Sequence, residues 1–105
     1  MRERDVERKL VRAVRDSGGL ALKFVSPGMA GVPDRLILYP GGRVSFAEIK
    51  APGKQLRPLQ HQRAIQLLKL GFRVYVVDSP EQIRPIVMYE SNRRNLDHGR
   101  GGGGI

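Results

Sequence analysis

Residues 31–50 read Gly-Val-Pro-Asp-Arg-Leu-Ile-Leu-Tyr-Pro-Gly-Gly-Arg-Val-Ser-Phe-Ala-Glu-Ile-Lys. Two runs rich in aliphatic, β-branched and aromatic residues flank Pro40-Gly41-Gly42, a turn signal in which glycine supplies positive φ. The pattern predicts a hairpin in which strand 34–39 pairs with strand 43–50. The second strand alternates with period two, so Val44, Phe46, Glu48 and Lys50 share one face and Ser45, Ala47 and Ile49 the other. An apolar row therefore ends in an acid and a cation. Hairpin pairing brings Asp34 beside that same end. A Glu-x-Lys alone reads as a rim ion pair, and an Asp after Pro as a turn residue. The convergence of all three at one strand edge points to chemistry. Mg²⁺ needs hard oxygen ligands and takes one or two carboxylates, with water and phosphate oxygens completing its shell. Asp34 and Glu48 meet that need, and the Ile49 carbonyl, between the two functional side chains, is a further candidate ligand. Lys50 could orient a metal-activated water or stabilise charge on a phosphate.

Outward from the hairpin, residues 3–16 carry Val6, Leu10, Ala13 and Val14 on one helical arc, with Val11 at its edge. Arg4, Arg8, Arg12 and Arg15 take the opposite side, and Gly18-Gly19 stops the helix. Glu3 and Glu7 fall inside or beside the apolar arc. An acid there is costly unless it is paired or binds metal. The other reading is favourable placement near the helix N-terminus. Of the two, Glu7 sits deeper and is the functional candidate. Residues 20–25 read as a first strand, and Ser26–Pro33 as a loop. Pro58 opens a second helix ending before Gly71. Residues 72–77 read as a fourth, largely buried strand. Ser79-Pro80-Glu81 opens a last helix that Pro85 shortens or kinks. The order α-β-β-β-α-β-α, with a helix between strands three and four, predicts an α/β fold with a mixed four-stranded sheet flanked by helices. A folded domain is expected over residues 1–90, and a disordered basic, Gly-rich tail over 91–105.

Composition narrows the function. Nineteen Lys and Arg against ten Asp and Glu give 105 residues a net charge of +9. Such an excess suits a polyanion, because each phosphate neutralised releases counterions. No apolar run is long enough to span a bilayer, so no membrane role is expected. Met1-Arg2-Glu3-Arg4-Asp5 is too charged to open a signal peptide. The absence of cysteine excludes disulfides and thiolate metal sites and favours the cytoplasm. His61 reads as a solvent-facing helix residue and His98 as part of the tail, neither with a partner for catalysis. Gly101–Gly104 follows no strand and opens no helix, so it is no phosphate loop.

The pattern Glu7…Ser26…Gly31-Val32-Pro33-Asp34…Glu48-Ile49-Lys50…Gln60 resembles the PD-(D/E)xK nuclease superfamily. Within it, residues 3–84 look like the stand-alone virus-type replication-repair nuclease (VRR-NUC) domains of phages, which are related to Holliday-junction resolvases. Glu7, Leu10 and Gly18 also match the spacing of the helix-one acid, aliphatic and glycine positions. The resemblance implies a restriction-endonuclease-like core and a Mg²⁺- or Mn²⁺-dependent DNA endonuclease that prefers four-way junctions or other branched DNA. On it, Asp34 and Glu48 are the metal ligands, Lys50 is the catalytic lysine, Glu7 the accessory acid and Gln60 an active-site polar residue. Ser26, Lys54 and Arg57 are the candidate substrate contacts. Arg57 departs from the pattern, since relatives often place a capping Ser or Thr there.

The competing reading is a non-catalytic DNA- or RNA-binding module on the same fold. A missing Asp34, Glu48 or Lys50 would signal it, and all three are present. An RNA role for the Arg- and Gly-containing tail lacks interleaved aromatics. A homodimer is expected, because a chain this short has a small core and a symmetric junction presents two equivalent strands. The third helix, with Ile83, Ile86, Val87, Met88 and Tyr89, is the expected contact surface. These residues read nearly as well as a cap on the monomer's own core.

Overall fold

The central hairpin forms in the expected register. In the computed structural model, which describes residues 1–92, β2 (Arg35–Tyr39) pairs antiparallel with β3 (Arg43–Ile49), Leu36 opposite Phe46 and Leu38 opposite Val44. Gly41 and Gly42 turn the chain with φ of 89° and 75°. On one side β1 (Leu20–Lys23) adds antiparallel to β2. On the other, β4 (Arg73–Val77) adds parallel to β3 after a crossover through α2 (Pro58–Lys69). The sheet order is β1-β2-β3-β4.

The two sheet faces differ. On one, Ala21, Ile37, Tyr39, Ala47, Ile49 and Val77 form the core with Val6, Leu10 and Val14 of α1 (Glu3–Asp16) and with Ile83 and Ile86 of α3 (Ile83–Asn92). The helix-one arc is the one its 3.6-residue period predicts, and Arg4, Arg8, Arg12 and Arg15 are exposed on its far side. On the opposite face α2 covers β3 and β4, and Phe46 packs between Phe24 and Phe72 with ring centroids 5.6 Å away on each side. Glu48 lies on this second face, two residues beyond Phe46. Leu20 and Leu22 of β1 also point to this face but remain 54% and 45% exposed, because α2 does not reach them.

Four expectations are corrected. Strand β4 is not largely buried: it is a sheet edge, and Arg73 and Val76 are exposed. Pro85 does not interrupt α3. A 3₁₀ turn at Pro80–Gln82 takes up the chain first, and α3 starts only at Ile83, so Pro85 falls in its first turn, where a missing N–H breaks no helical bond. Helix α3 runs on through Asn92, two residues into the expected tail, and the rest of that expectation lies outside the described residues. The apolar residues of α3 are not a free contact surface. Ile83 and Ile86 are buried at 6% and 7% exposure, and only Met88 and Tyr89 project outward. Tyr89 is itself occupied, with the Arg73 guanidinium 4.3 Å above its ring. Among the described residues, no helix is long and apolar enough to cross a membrane.

Gly19, between α1 and β1, marks the tightest seam. A Cβ there would stand 2.6 Å from the Leu38 carbonyl oxygen and 2.8 Å from the Tyr39 ring. The nearest atom is backbone of a central strand and cannot swing aside. Gly19→Ala is expected to cost about 1–3 kcal/mol in urea unfolding, while the same change at Gly18 meets no neighbour within 4 Å and costs only its φ of 99°.

Candidate active site

Asp34 stands one residue before β2, one step past the Arg35–Ala47 pair, which puts it across from Glu48. Its Oδ2 accepts the Ile49 backbone N–H at 2.9 Å, and its carbonyl accepts the Phe24 N–H at 2.8 Å. The carboxylate is thereby tied to the backbone between Glu48 and Lys50. The Lys50 N–H donates the other way, to the Val77 carbonyl of β4 at 2.9 Å. Its peptide is trans, so the Ile49 carbonyl points away from β4, toward the side where Asp34 lies.

Glu48 is 4% exposed. Its Oε2 accepts from Gln60 Nε2 at 2.7 Å, and Lys50 Nζ lies 3.8 Å from the same oxygen. Its Oε1 is buried with no hydrogen-bond partner. A buried acceptor left alone costs about 1–3 kcal/mol. Burial pushes the Glu48 carboxyl up to about 7, with the neighbouring Asp34 charge next in weight and the Lys50 cation opposing; the Glu3 charge adds slightly. Gln60 is oriented by its own helix. Its Oε1 accepts the Arg57 backbone N–H at 2.9 Å at the start of α2, which leaves the amide NH₂ to face Glu48. Arg57 is thus the N-cap residue without a capping hydroxyl, and Gln60 satisfies its N–H from three residues on.

Asp34, Glu48 Oε1 and the Ile49 carbonyl form a set of hard oxygens, the donor type that Mg²⁺ or Mn²⁺ takes. Among the described residues, no group of three or more His, Cys, Asp or Glu that could hold a metal assembles. The set is two carboxylates and one carbonyl, so an ion held there would need water or substrate to complete its shell.

The other expected residues fall elsewhere. Glu7 does not face the carboxylates. Its Oε2 accepts from Arg35 Nε at 2.8 Å on the opposite sheet face, with each side chain about one-fifth exposed. The α1 acid felt by Glu48 is Glu3. Ser26 lines an apolar pocket of about 260 Å³ with Phe24, Met29, Val32 and Leu67. Lys54 and Arg57 are exposed on the segment leading into α2.

Three supporting residues were missed. Arg35 also donates to the Ala21 carbonyl at 3.0 Å, which fixes β1 beside the start of β2. Its signal was available: period two from Ile37 puts Arg35 on the core face, where a cation needs an acid, and Glu7 lies on the facing helical arc. Arg63 of α2 donates to the Ala30 carbonyl at 2.8 Å and anchors the loop before Asp34. Asp78 accepts the Gly53 N–H at 3.3 Å and ties the loop after β3 to the end of β4. Each of the last two has a loop residue as its partner, with no periodicity to announce it. Gly31 shows how close that first loop packs, since a Cβ there would meet Leu59 Cγ at 2.7 Å.

No family model matches the chain. Over 81 residues it is 48% identical to "Putative nuclease p44" of Acyrthosiphon pisum secondary endosymbiont phage 1, a span of 77% of this chain and 87% of that protein. It is also similar to a solved structure described as a VRR-NUC domain, with a TM-score of 0.77 and 28% identity, covering 83% of this chain and 95% of the other.

The raised Glu48 carboxyl fixes a pH signature for the metal-free protein. A proton held more tightly in the folded state stabilises the fold below about pH 4.5, and that contribution is lost as pH rises through about 7. Glu48→Gln, which cannot ionise, is expected to match the wild type near pH 4.5 and to exceed it by on the order of 3 kcal/mol at pH 8 in EDTA. A stability difference that stays constant across this range would contradict the buried-carboxylate account.

Proposed function

The chain belongs to the phage-type VRR-NUC family, and from that premise we propose that it is a metal-dependent endonuclease that hydrolyses phosphodiester bonds in DNA. The observation that carries this reading is Glu48. A buried carboxylate offers one oxygen to Gln60 and keeps the other free, beside Asp34 and within 4 Å of an ammonium group.

In hydrolysis a water oxygen bonds to phosphorus, the bond from phosphorus to the leaving sugar oxygen breaks, and that oxygen takes up a proton. A divalent cation such as Mg²⁺ or Mn²⁺, held by Asp34, Glu48 and the Ile49 carbonyl, would supply Lewis-acid polarisation of the phosphoryl oxygens. The chain does the rest. Gln60 fixes the rotamer of Glu48 and keeps Oε1 turned to the site. Lys50, on the same strand face, carries the positive charge that stabilises the phosphate oxygens as charge builds on them. Glu7 acts at one remove: it holds Arg35, the residue after Asp34, and so positions the start of β2. Lys54, Arg57 and Ser26 lie on the segments flanking the site and are the proposed substrate contacts.

A preference for four-way junctions or other branched DNA, action in the cytoplasm, a nuclease unit that ends with α3 at Asn92 and a homodimer complete the proposal. For the dimer, the exposed apolar pair Leu20 and Leu22 on the open sheet face takes the place first given to α3. Leu22→Lys is expected to shift the protein toward an 11.7 kDa monomer in light scattering while leaving its circular dichroism unchanged.

The activity is tested with labelled four-way junction, linear duplex and single strands, each in Mg²⁺ or EDTA. Cleavage is expected in Mg²⁺ alone, and fastest on the junction. Lys50→Ala is expected to lower cleavage about 10²-fold or more. DNA binding in EDTA should stay within about threefold, because Lys50 is one cation among many. Binding that falls in step with cleavage would reduce Lys50 to another phosphate contact, and cleavage undiminished in EDTA would remove the metal from the account.

A further inference from the structure

Helix α1 buries Val6, Leu10 and Val14 and turns a row of arginines outward. Arg4, Arg8, Arg12 and Arg15 are all exposed and follow one another at intervals of four, four and three residues. Like charges at this spacing face each other on a helix and weaken it by a few tenths of a kcal/mol per pair. Nearby acids do little to neutralise them. Asp5 accepts the Arg2 N–H at 3.1 Å, Glu7 is taken by Arg35, and Asp16 meets Arg15 only at 4.0 Å with both side chains about two-thirds exposed. At the foot of the row these arginines, with Lys9 and Arg35, line an open groove of about 620 Å³ whose wall also holds Asp5 and Glu7, so its cations outnumber its acids.

The row also has a direction. The start of α1 is its end nearest the carboxylates: Glu7 accepts from Arg35, the residue after Asp34, whereas Ser17, just past the helix, is hydrogen-bonded to Tyr39 at the far end of β2. From there it runs away from the site for eleven residues, an axial rise of about 17 Å. Duplex DNA advances about 3.4 Å per base pair, so the row spans about five base pairs. Guanidinium groups match phosphate geometry bidentately. The helix carries no aromatic side chain, and single-strand sites rely on aromatic stacking. The favoured occupant is therefore a duplex.

We propose that the outer face of α1 is a phosphate track that grips one duplex arm of DNA for about five base pairs to one side of the cleavage site. The proposal rests on the nuclease reading for its substrate, but its test does not. Binding of a 20-base-pair duplex to the full chain is measured in EDTA at a series of salt concentrations, so no cleavage enters. Arg8→Gln/Arg12→Gln is compared with Lys69→Gln/Arg84→Gln, which removes the same charge from α2 and α3. Thermal melts check that both variants fold.

The first variant is expected to lower the slope of log K against log salt by about 2, at about 0.9 per phosphate contact. The second should keep nearly the wild-type slope. In Mg²⁺ at saturating DNA, the first variant should cut within about twofold of wild type. Shortening the arm beyond the cut below five base pairs should weaken the wild type but hardly affect this variant. A slope unchanged in Arg8→Gln/Arg12→Gln would overturn the proposal and leave the row to another anionic partner. An equal fall in both variants would also overturn it, by showing a general field in place of a track. Failure of the wild type to cut any DNA, with the slopes as expected, would sink the nuclease reading and leave the track standing.

Discussion

The hydrogen bond from the Ile49 N–H to the Asp34 carboxylate holds the site together. At 2.9 Å it closes the β2–β3 ladder one step past its last backbone pair, with a side chain doing what a strand carbonyl would otherwise do. The consequence is electrostatic as well as structural. A carboxylate used as the last rung of a sheet cannot move away from the next acid on the neighbouring strand, and that acid is Glu48. Two carboxyl groups are thus fixed side by side by the fold itself, and Glu48 is buried too deeply for water to screen their repulsion when both are ionised, which is part of why its carboxyl is pushed up.

The surrounding parts manage that cost without removing it. Lys50 offsets some of the charge from 3.8 Å, too far for a hydrogen bond. Gln60 satisfies one Glu48 oxygen and is itself held by the first turn of α2. The Arg63 bond to Ala30 and the contact of Gly31 with Leu59 hold the loop before Asp34 against the same helix. Both strand ends that carry acids are therefore braced by α2, whose crossover is what makes β3 and β4 parallel. What stays unmet is the second oxygen of Glu48. A protein that leaves a buried acceptor alone beside a second carboxylate is less stable than it could be, as is common where a binding partner completes the site.

Most of this was legible in the sequence, because it rests on period and on turns. The alternation from Val44 to Lys50 put Glu48 on one face with Phe46, and Pro40-Gly41-Gly42 set the register that brought Asp34 opposite, while the helix that covers that face emerged only in the structure. The helix-one period placed Val6, Leu10 and Val14 in the core and the arginines outside. The reading failed where a residue's fate depends on a partner far along the chain. Glu7 looked like a site acid because it lies beside an apolar arc, yet the arc faces Arg35, and the ion pair satisfies both. Glu90, placed at the edge of the expected tail, is fully buried and accepts from the Tyr75 hydroxyl at 2.6 Å. Val74 and Val76 suggested a buried strand, but apolar residues do not reveal that β4 has a neighbour on one side only. Ile83 and Ile86 suggested a contact surface, and only the packing of α3 against α1 shows them inside.

The measurement closest to the centre of this account is Mn²⁺ binding, followed by electron paramagnetic resonance as the free-ion signal is lost. It needs neither DNA nor turnover. One ion per chain is expected for the wild type and for Lys50→Ala, with loss of binding in both Asp34→Asn and Glu48→Gln. Undiminished binding in the Asp34 and Glu48 variants would contradict it, because the unpartnered oxygen of Glu48 would then have no part in holding the ion.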